Sequence, residues 1–281
     1  MPHLLAPSEL SGPLWPLLLR AAATVLKPAR LTASSLSRQH LLTQPLQQNA
    51  NLLQYQRLLG YPADRLPLCW FYPLLQKAQL ASMLQLPGLP IVGLVHLSNQ
   101  LQRPTSDLQQ DWSVARLQQG AAWRLNTQLS LSQPDHWLLS AQQQLYLDDQ
   151  LWLTAASCYL VRKCPNTRPK PEQPAPDSGR LLQQWPLDAA LARRYAALSG
   201  DWNPIHLWRW SARLFGQRQP ILHGMASAAL LEARLPQPVT GLQLAFVKTI
   251  RPGLPLELRQ ANPHEFWLCQ QDRLCLRAML D

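Results

Sequence analysis

Two side chains in the C-terminal third of the chain have the types and spacing for acid–base chemistry. The run Gly200-Asp201-Trp202-Asn203-Pro204-Ile205-His206 sets a carboxylate and an imidazole five positions apart around an Asn-Pro step. Asn at an N-cap followed by Pro at the first helical position marks a helix start. His206 then falls in the first turn, with Asp201 near it across the bend. A carboxylate and an imidazole converging there can pass protons to and from a substrate, and the helix end holds an imidazole neutral or favours an anion nearby. The same residues also fit a structural reading, with Asp201 and Asn203 as turn and cap residues and His206 on the surface. His223, in His223-Gly224-Met225, is either a second acid or a helix-start residue whose ring packs locally, and local packing is the expectation.

The elements around these residues are readable from periodicity. Leu181–Leu187 is a short strand, Ala189–Leu198 a short helix and Gly200–Pro204 irregular. A helix is expected over Ile205–Phe215, and Met225–Leu235, rich in Ala and Leu without Gly or Pro, is a stronger one. Gly241–Ile250, Leu254–Gln260, Phe266–Gln270 and Leu274–Leu280 read as strands. A long apolar helix followed by an antiparallel meander gives an α+β fold, sheet packed on helix. Upstream, alternation predicts strands over Trp123–Leu131, His136–Gln144, Gln144–Thr154 and Ala156–Lys163, with a turn at Asp148-Asp149 and Leu145, Leu147, Leu151 and Leu153 on one face. Between the two regions, Pro165–Ser178 is polar and proline-rich, the composition of a linker or exposed loop.

The chain repeats itself. Tyr55 to Gly60 and Tyr195 to Gly200 share YxxLxG, and Gly93 to Pro104 and Gly241 to Pro252 share GLx8RP, with helix-like stretches (Tyr72–Leu84 and Met225–Leu235) between the matches. The shared order argues for two copies of one unit. They part just after the shared glycine, where the first copy reads Gly60-Tyr61-Pro62-Ala63-Asp64 and lacks the Asp and His of the second.

The full string Tyr195, Leu198, Ser199, Gly200, Asp201, Asn203, Pro204, Ile205, His206, then Pro220-Ile221 and His223-Gly224-Met225, resembles the signature of the MaoC-like, R-specific enoyl-CoA hydratases (hydratase 2) of the hotdog superfamily. The resemblance covers residues 181–281 well, and the N-terminal part looks like the degenerate first half of double-hotdog relatives. It implies an N-terminal extension (1–30), a degenerate hotdog (31–164), a proline-rich linker (165–179) and a catalytic hotdog (180–281), each hotdog a long helix wrapped by a curved antiparallel sheet. It implies that Asp201 and His206 hold a water and add it across a trans-2-enoyl thioester, reversibly giving the (3R)-3-hydroxyacyl thioester, so that the chain is a hydro-lyase of acyl metabolism. One division makes Asp201 the base for water while His206 gives a proton to the α-carbon; the sequence does not assign the roles. Gly224 matches the glycine whose amide supports the thioester oxyanion, and Asn203 holds the loop. Gly253-Leu254 departs from the Gly-Asp that the family often carries. No metal or redox cofactor is implied, CoA or phosphopantetheine being part of the substrate.

Composition sets the outer bounds. The chain has 281 residues, 47% hydrophobic and 15% charged, enough for a sizeable core and inconsistent with disorder. Its net charge is +10, with most of the excess before residue 171. That suits an anionic partner, CoA or an acidic acyl carrier protein, and the first half is the expected place for the carrier to dock. The cluster Arg162, Lys163, Arg168, Lys170 could meet CoA phosphates but reads better as a solvated linker edge. His96, in an apolar run, is expected to be a core histidine. Nucleic-acid binding lacks an aromatic RNP-like strand, a zinc pattern or a helix-turn-helix. No apolar run reaches a membrane span and Leu14–Leu26 is interrupted by Pro16 and Arg20, so neither a span nor a signal is expected. Five cysteines without CxxC point to free thiols in a cytoplasmic protein. A non-catalytic thioester-binding or scaffolding subunit is the alternative function, and a monomer or homodimer the expected assembly.

Overall fold

The computed structural model describes residues 15–24, 31–42, 49–104, 112–118, 122–133, 136–162 and 179–281. The expected linker at Pro165–Ser178 and the cations Lys163, Arg168 and Lys170 lie outside them. In chain order the helices are α1 (Trp15–Ala23), α2 (Asn49–Leu59), α3 (Tyr72–Met83), α4 (Val114–Gln118), α5 (Leu191–Ser199), α6 (Arg209–Leu214) and α7 (Gly224–Glu232). The strands are β1 (Ser34–Leu42), β2 (Val95–Gln102), β3 (Trp123–Ser132), β4 (Trp137–Leu147), β5 (Gln150–Arg162), β6 (Arg180–Pro186), β7 (Gly241–Phe246), β8 (Pro255–Asn262), β9 (Glu265–Gln270) and β10 (Arg273–Leu280). The chain divides into two compact units, residues 1–49 with 71–168, and residues 50–70 with 169–281.

In the first unit the strands lie in the order β1-β3-β4-β5-β2, all neighbours antiparallel. The turn falls at Asp148-Asp149, both with positive φ (49° and 61°), the geometry that joins a two-residue hairpin without splaying its strands. The sequence reading broke the chain near Thr154, whereas β5 runs unbroken from Gln150 to Arg162. Its register slips opposite Leu145 and Tyr146, so Trp152 turns inward and is fully buried, while Leu151 is only partly covered. Helix α3 packs on this sheet, and Leu17 and Ala21 of α1 pack on Leu80 and Ala81 of α3. Part of the expected extension therefore belongs to this core.

The interior beside α3 is polar for a helix–sheet core. Gln79 donates to Gln143 Oε1 (2.7 Å) and Ser157 Oγ (3.0 Å), Gln143 donates to Thr127 Oγ1 and the Leu75 carbonyl (both 3.0 Å), and Tyr159 donates to Gln79 Oε1 (2.6 Å). Buried amides are tolerated when their groups are paired in this way. His96 lies against Tyr72 and Tyr159, at centroid distances of 5.9 and 4.6 Å. Burial holds its pKa down to about 3, so it is a neutral core histidine.

In the second unit the order is β7-β10-β9-β8-β6, again antiparallel throughout. Helix α7 packs on β9 and β10, and its residues from Met225 to Glu232 are all buried. Residues 50–70, which the sequence reading gave to the first hotdog, pack in this unit. The buried Glu232 carboxylate explains why: it accepts the amides of Leu68 (2.7 Å) and Cys69 (3.0 Å) and the Tyr61 hydroxyl (2.8 Å). Burial raises the Glu232 pKa and these donors oppose the rise.

The expected helix over Ile205–Phe215 is broken. Pro204–His206 forms one 3-10 turn, Trp208 is extended (φ −132°, ψ 154°), and α6 begins at Arg209. Two contacts draw the first turn away from α6: the Ile205 carbonyl accepts the Ile221 amide (3.3 Å) and the His206 ring meets the Ile221 carbonyl. Ser211 donates to the Pro204 (2.6 Å) and Trp208 (3.0 Å) carbonyls, bracing the break.

Candidate active site

The loop carrying Asp201 is set by the end of α5. Gly200 takes φ 76°, where a side chain is strained, and its amide closes the helix on the Ala196 carbonyl (2.9 Å). Ser199 Oγ donates to the Tyr195 carbonyl (2.9 Å) and accepts the Asp201 amide (3.2 Å). The Ser-Gly-Asp run thus turns the chain so that Asp201 is buried, 9% exposed. Asp201 Oδ1 accepts the Asn203 amide (3.2 Å), and Asn203 Oδ1 accepts the Ile205 amide (3.4 Å), capping the turn that carries His206. Asn203 holds the loop and its side-chain oxygen is spent there.

His206 has a fixed tautomer. Its Nδ1 lies 2.8 Å from the Ile221 carbonyl; a carbonyl only accepts, so Nδ1 carries the hydrogen and Nε2 bears the lone pair. Burial pushes its pKa below the ordinary histidine range, with Asp201 and the Ile221 carbonyl pulling the other way. A neutral imidazole with its lone pair on Nε2 can take a proton at that atom. His223 packs face to face on it, centroids 3.7 Å apart and planes 27° apart, and donates from Nε2 to the Asp201 carbonyl (3.0 Å). Burial and the neighbouring His206 hold His223 down to about 3. Its Nδ1 is buried without a hydrogen-bond partner among the described residues.

The structure therefore brings Asp201 and His206 together and adds His223, with one ligand-type atom from each lying within 4.8 Å of the others. One carboxylate oxygen and two imidazole nitrogens are a donor set that a divalent cation accepts. Gly224 opens α7 beside them, so its amide has no partner inside its own helix. A Cβ there would meet the Phe246 ring at 3.1–3.4 Å, so glycine is what the packing admits. Of the cationic cluster at 162–170, the side chains lie outside the described ones.

Two features escaped the sequence reading. The buried Glu232 looked like any charged residue of an Ala/Leu-rich helix, and only its three donors give it a role. The segment Leu207-Trp208-Arg209-Trp210, read as ordinary helix, instead carries exposed tryptophans. Its signal was the crowding of Trp with Arg.

Part of the chain that holds this geometry is similar to a known family. Residues 168–259 match the family model described as "MaoC like domain". This stretch is similar to a MaoC-like domain. Over 79 residues, 27% of this chain, the sequence is 43% identical to 3-hydroxyacyl-thioester dehydratase X of Mycobacterium tuberculosis, and the match spans 26% of that relative's length. Among solved structures, HtdX of M. tuberculosis superposes with a TM-score of 0.64 at 20% identity, covering 86% of this chain and 99% of that one. A MaoC-like dehydratase from Phytophthora capsici superposes at 0.60 and 16% identity, covering 89% and 96%. At such identities the structural likeness speaks for the fold. The chain has a double-hotdog fold, and the stretch that matches the MaoC-like model holds Asp201 and His206.

Proposed function

We propose that the protein catalyses reversible hydration of trans-2-enoyl thioesters and dehydration of (3R)-3-hydroxyacyl thioesters, as a hydro-lyase of fatty-acid or related acyl metabolism. The observation that carries this is the meeting of the buried Asp201 carboxylate with a neutral His206 whose free nitrogen is fixed by the Ile221 carbonyl. Dehydration removes the α-hydrogen and the β-hydroxyl. In that direction His206 Nε2 takes the α-proton, the electron pair forms the Cα–Cβ double bond, and the hydroxyl leaves as water with a proton from Asp201. Hydration reverses each step: Asp201 takes a proton from water as its oxygen bonds Cβ, and protonated His206 gives a proton to Cα. The working pair therefore holds one proton more than the resting carboxylate and neutral imidazole. That proton is taken up from solvent, sits on Asp201 before dehydration and on His206 before hydration, and changes places with each turnover. Negative charge collects on the thioester oxygen meanwhile, and the Gly224 amide at the start of α7 is the donor for it.

Hydration lowers the oxidation state of Cα by as much as it raises that of Cβ, so no electrons are exchanged with another molecule and the reading calls for no redox cofactor; proton transfer by the pair calls for no metal. The thioester carrier is CoA or acyl carrier protein. A reducing, cytoplasmic setting accords with the free thiols of Cys69, Cys158, Cys269 and Cys275. Among the described residues no helix is long and apolar enough to cross a membrane.

The test is hydration of crotonyl-CoA by the full chain, followed as loss of the enoyl absorbance, with chiral analysis of the product. Turnover giving the 3R product, abolished by Asp201→Asn and unaffected by chelators, is expected. No turnover on any acyl length with either carrier would leave a thioester-binding subunit as the better reading.

A further inference from the structure

The short helix α6 turns its large apolar side chains away from the core. Ser211 and Ala212 are its buried residues. The Ser211 hydroxyl is tied to the Pro204 and Trp208 carbonyls (2.6 and 3.0 Å), which fixes how the helix is rotated. Trp210 and Leu214, one turn apart and therefore on one face, are left 65% and 77% exposed, the two most exposed large apolar side chains among the described residues. Trp208, 46% exposed, stacks on Trp210 with centroids 6.0 Å apart and planes 11° apart. Single exposed apolar residues are ordinary, but a group of three marks an interaction surface.

Arginines accompany this face. Arg209 and Arg213, also one turn apart, are exposed, as is Arg218, and none of the three forms an ion pair among the described residues. Residues 202–231 contain no Asp or Glu. The hydration chemistry uses none of these side chains. Together they suit a boundary between apolar and anionic layers. Indoles settle where the two meet, a leucine gains by entering acyl chains, and guanidinium groups are drawn to anionic head groups. Other occupants fit less well. A twofold contact with a second copy pairs a patch with itself and would set arginine against arginine. A nucleic acid answers the arginines and stacks on an indole, but it offers Leu214 nothing to enter.

We infer that this face docks the protein on an anionic lipid surface. Trp208, Trp210 and Leu214 enter the head-group region, and Arg209 and Arg213 meet lipid phosphates. This is attachment to one leaflet, which asks for no long apolar helix. The patch begins two residues after His206, so docking sets the candidate site near the lipid. The inference stands or falls independently of the hydratase reading.

Sedimentation of the full chain with vesicles tests it and needs no turnover. Binding is expected to phosphatidylcholine vesicles containing about a third phosphatidylglycerol, to be about tenfold or more weaker on phosphatidylcholine alone, and to fall as salt is raised. Trp210→Ser with Leu214→Ser, and separately Arg209→Gln with Arg213→Gln, should each weaken it about tenfold or more. All four side chains are exposed, so thermal unfolding is expected to stay that of wild type. Vesicles with brominated acyl chains should quench tryptophan fluorescence in wild type, and Trp208→Phe with Trp210→Phe should still bind but lose most of that quenching. No binding to anionic vesicles, or binding that both double variants keep, would overturn the inference. So would self-association, or binding of poly(U) RNA or acyl carrier protein, that the Trp210→Ser, Leu214→Ser pair abolishes in a chain that ignores vesicles.

Discussion

After Gly60 and after Gly200 the chain makes the same turn and then puts it to different use. Both glycines take the left-handed conformation, with φ of 86° and 76°, and close on the carbonyl four residues back (2.8 and 2.9 Å). Both motif tyrosines, Tyr55 and Tyr195, are buried and face each other at 6.2 Å within the C-terminal unit. At the next position the first copy has Tyr61, whose hydroxyl satisfies the Glu232 carboxylate, and the second has Asp201, which meets two histidines. One loop spends its polar group on holding a buried acid; the other brings a carboxylate to two imidazoles. The same backbone turn serves either end, and the side chain after the glycine decides which.

The sharpest break of this comparison is kinetic. Asp201→Asn and His206→Ala are each expected to lower kcat about 10² to 10⁴-fold with little change in thermal unfolding, whereas Tyr61→Phe leaves kcat within about twofold. Steady-state kinetics beside calorimetric melting separates the two loops. The converse holds for stability. Glu232→Ala strands two amides and a hydroxyl and should cost about 3 kcal/mol or more, and Tyr61→Phe about 1–3 kcal/mol, read from denaturant unfolding. Equal stability of Tyr61→Phe and wild type would show that the first loop has no such structural duty.

Gly224→Ala probes the second loop's partner. Its Cβ would press on the Phe246 ring at 3.1 Å, so kcat should fall about tenfold or more, and Phe246→Leu in the same chain should restore part of it. Loss that Phe246→Leu leaves untouched would exclude crowding as the cause. Acid reaches both units. His40 is held to about 4 by burial and then by Arg38, and His96 and His223 to about 3, chiefly by burial. Since the unfolded chain takes these protons near pH 6.5 and the native state does not, stability is complete above that value and falls toward the folded values. The slope is about 1.4 kcal/mol per pH unit for each histidine. His96→Phe should remove one histidine's share of the slope, measured as Tm against pH. The smallest effect tests the repeat itself: Gly60→Ala and Gly200→Ala should each cost about 1–2 kcal/mol, and by similar amounts, because both adopt the same left-handed backbone.

Much of this was legible in the sequence. The repeat, the hairpin at Asp148-Asp149, the Ala/Leu-rich helix and the Gly-Asp-x-Asn-Pro-x-His string depend on local chemistry: a glycine for positive φ, an Asn cap, an alternating pattern. The helix expected over Ile205–Phe215 failed because its breaking contacts come from Ile221, fifteen residues or more away in sequence. Likewise Trp152 entered the core through a register slip that alternation alone cannot reveal.

By itself the sequence determined the two copies, the elements of each and which copy bears the Asp and His, because each depends on residues within a turn or two of one another. Tertiary structure alone decided that residues 50–70 pack with the C-terminal unit, that Glu232 holds them, that His223 stacks on His206, and that Trp208 stays exposed beside Trp210. Those are matters of which buried donor meets which acceptor, and a chain pays the desolvation of a buried carboxylate or imidazole only where distant residues supply the partners.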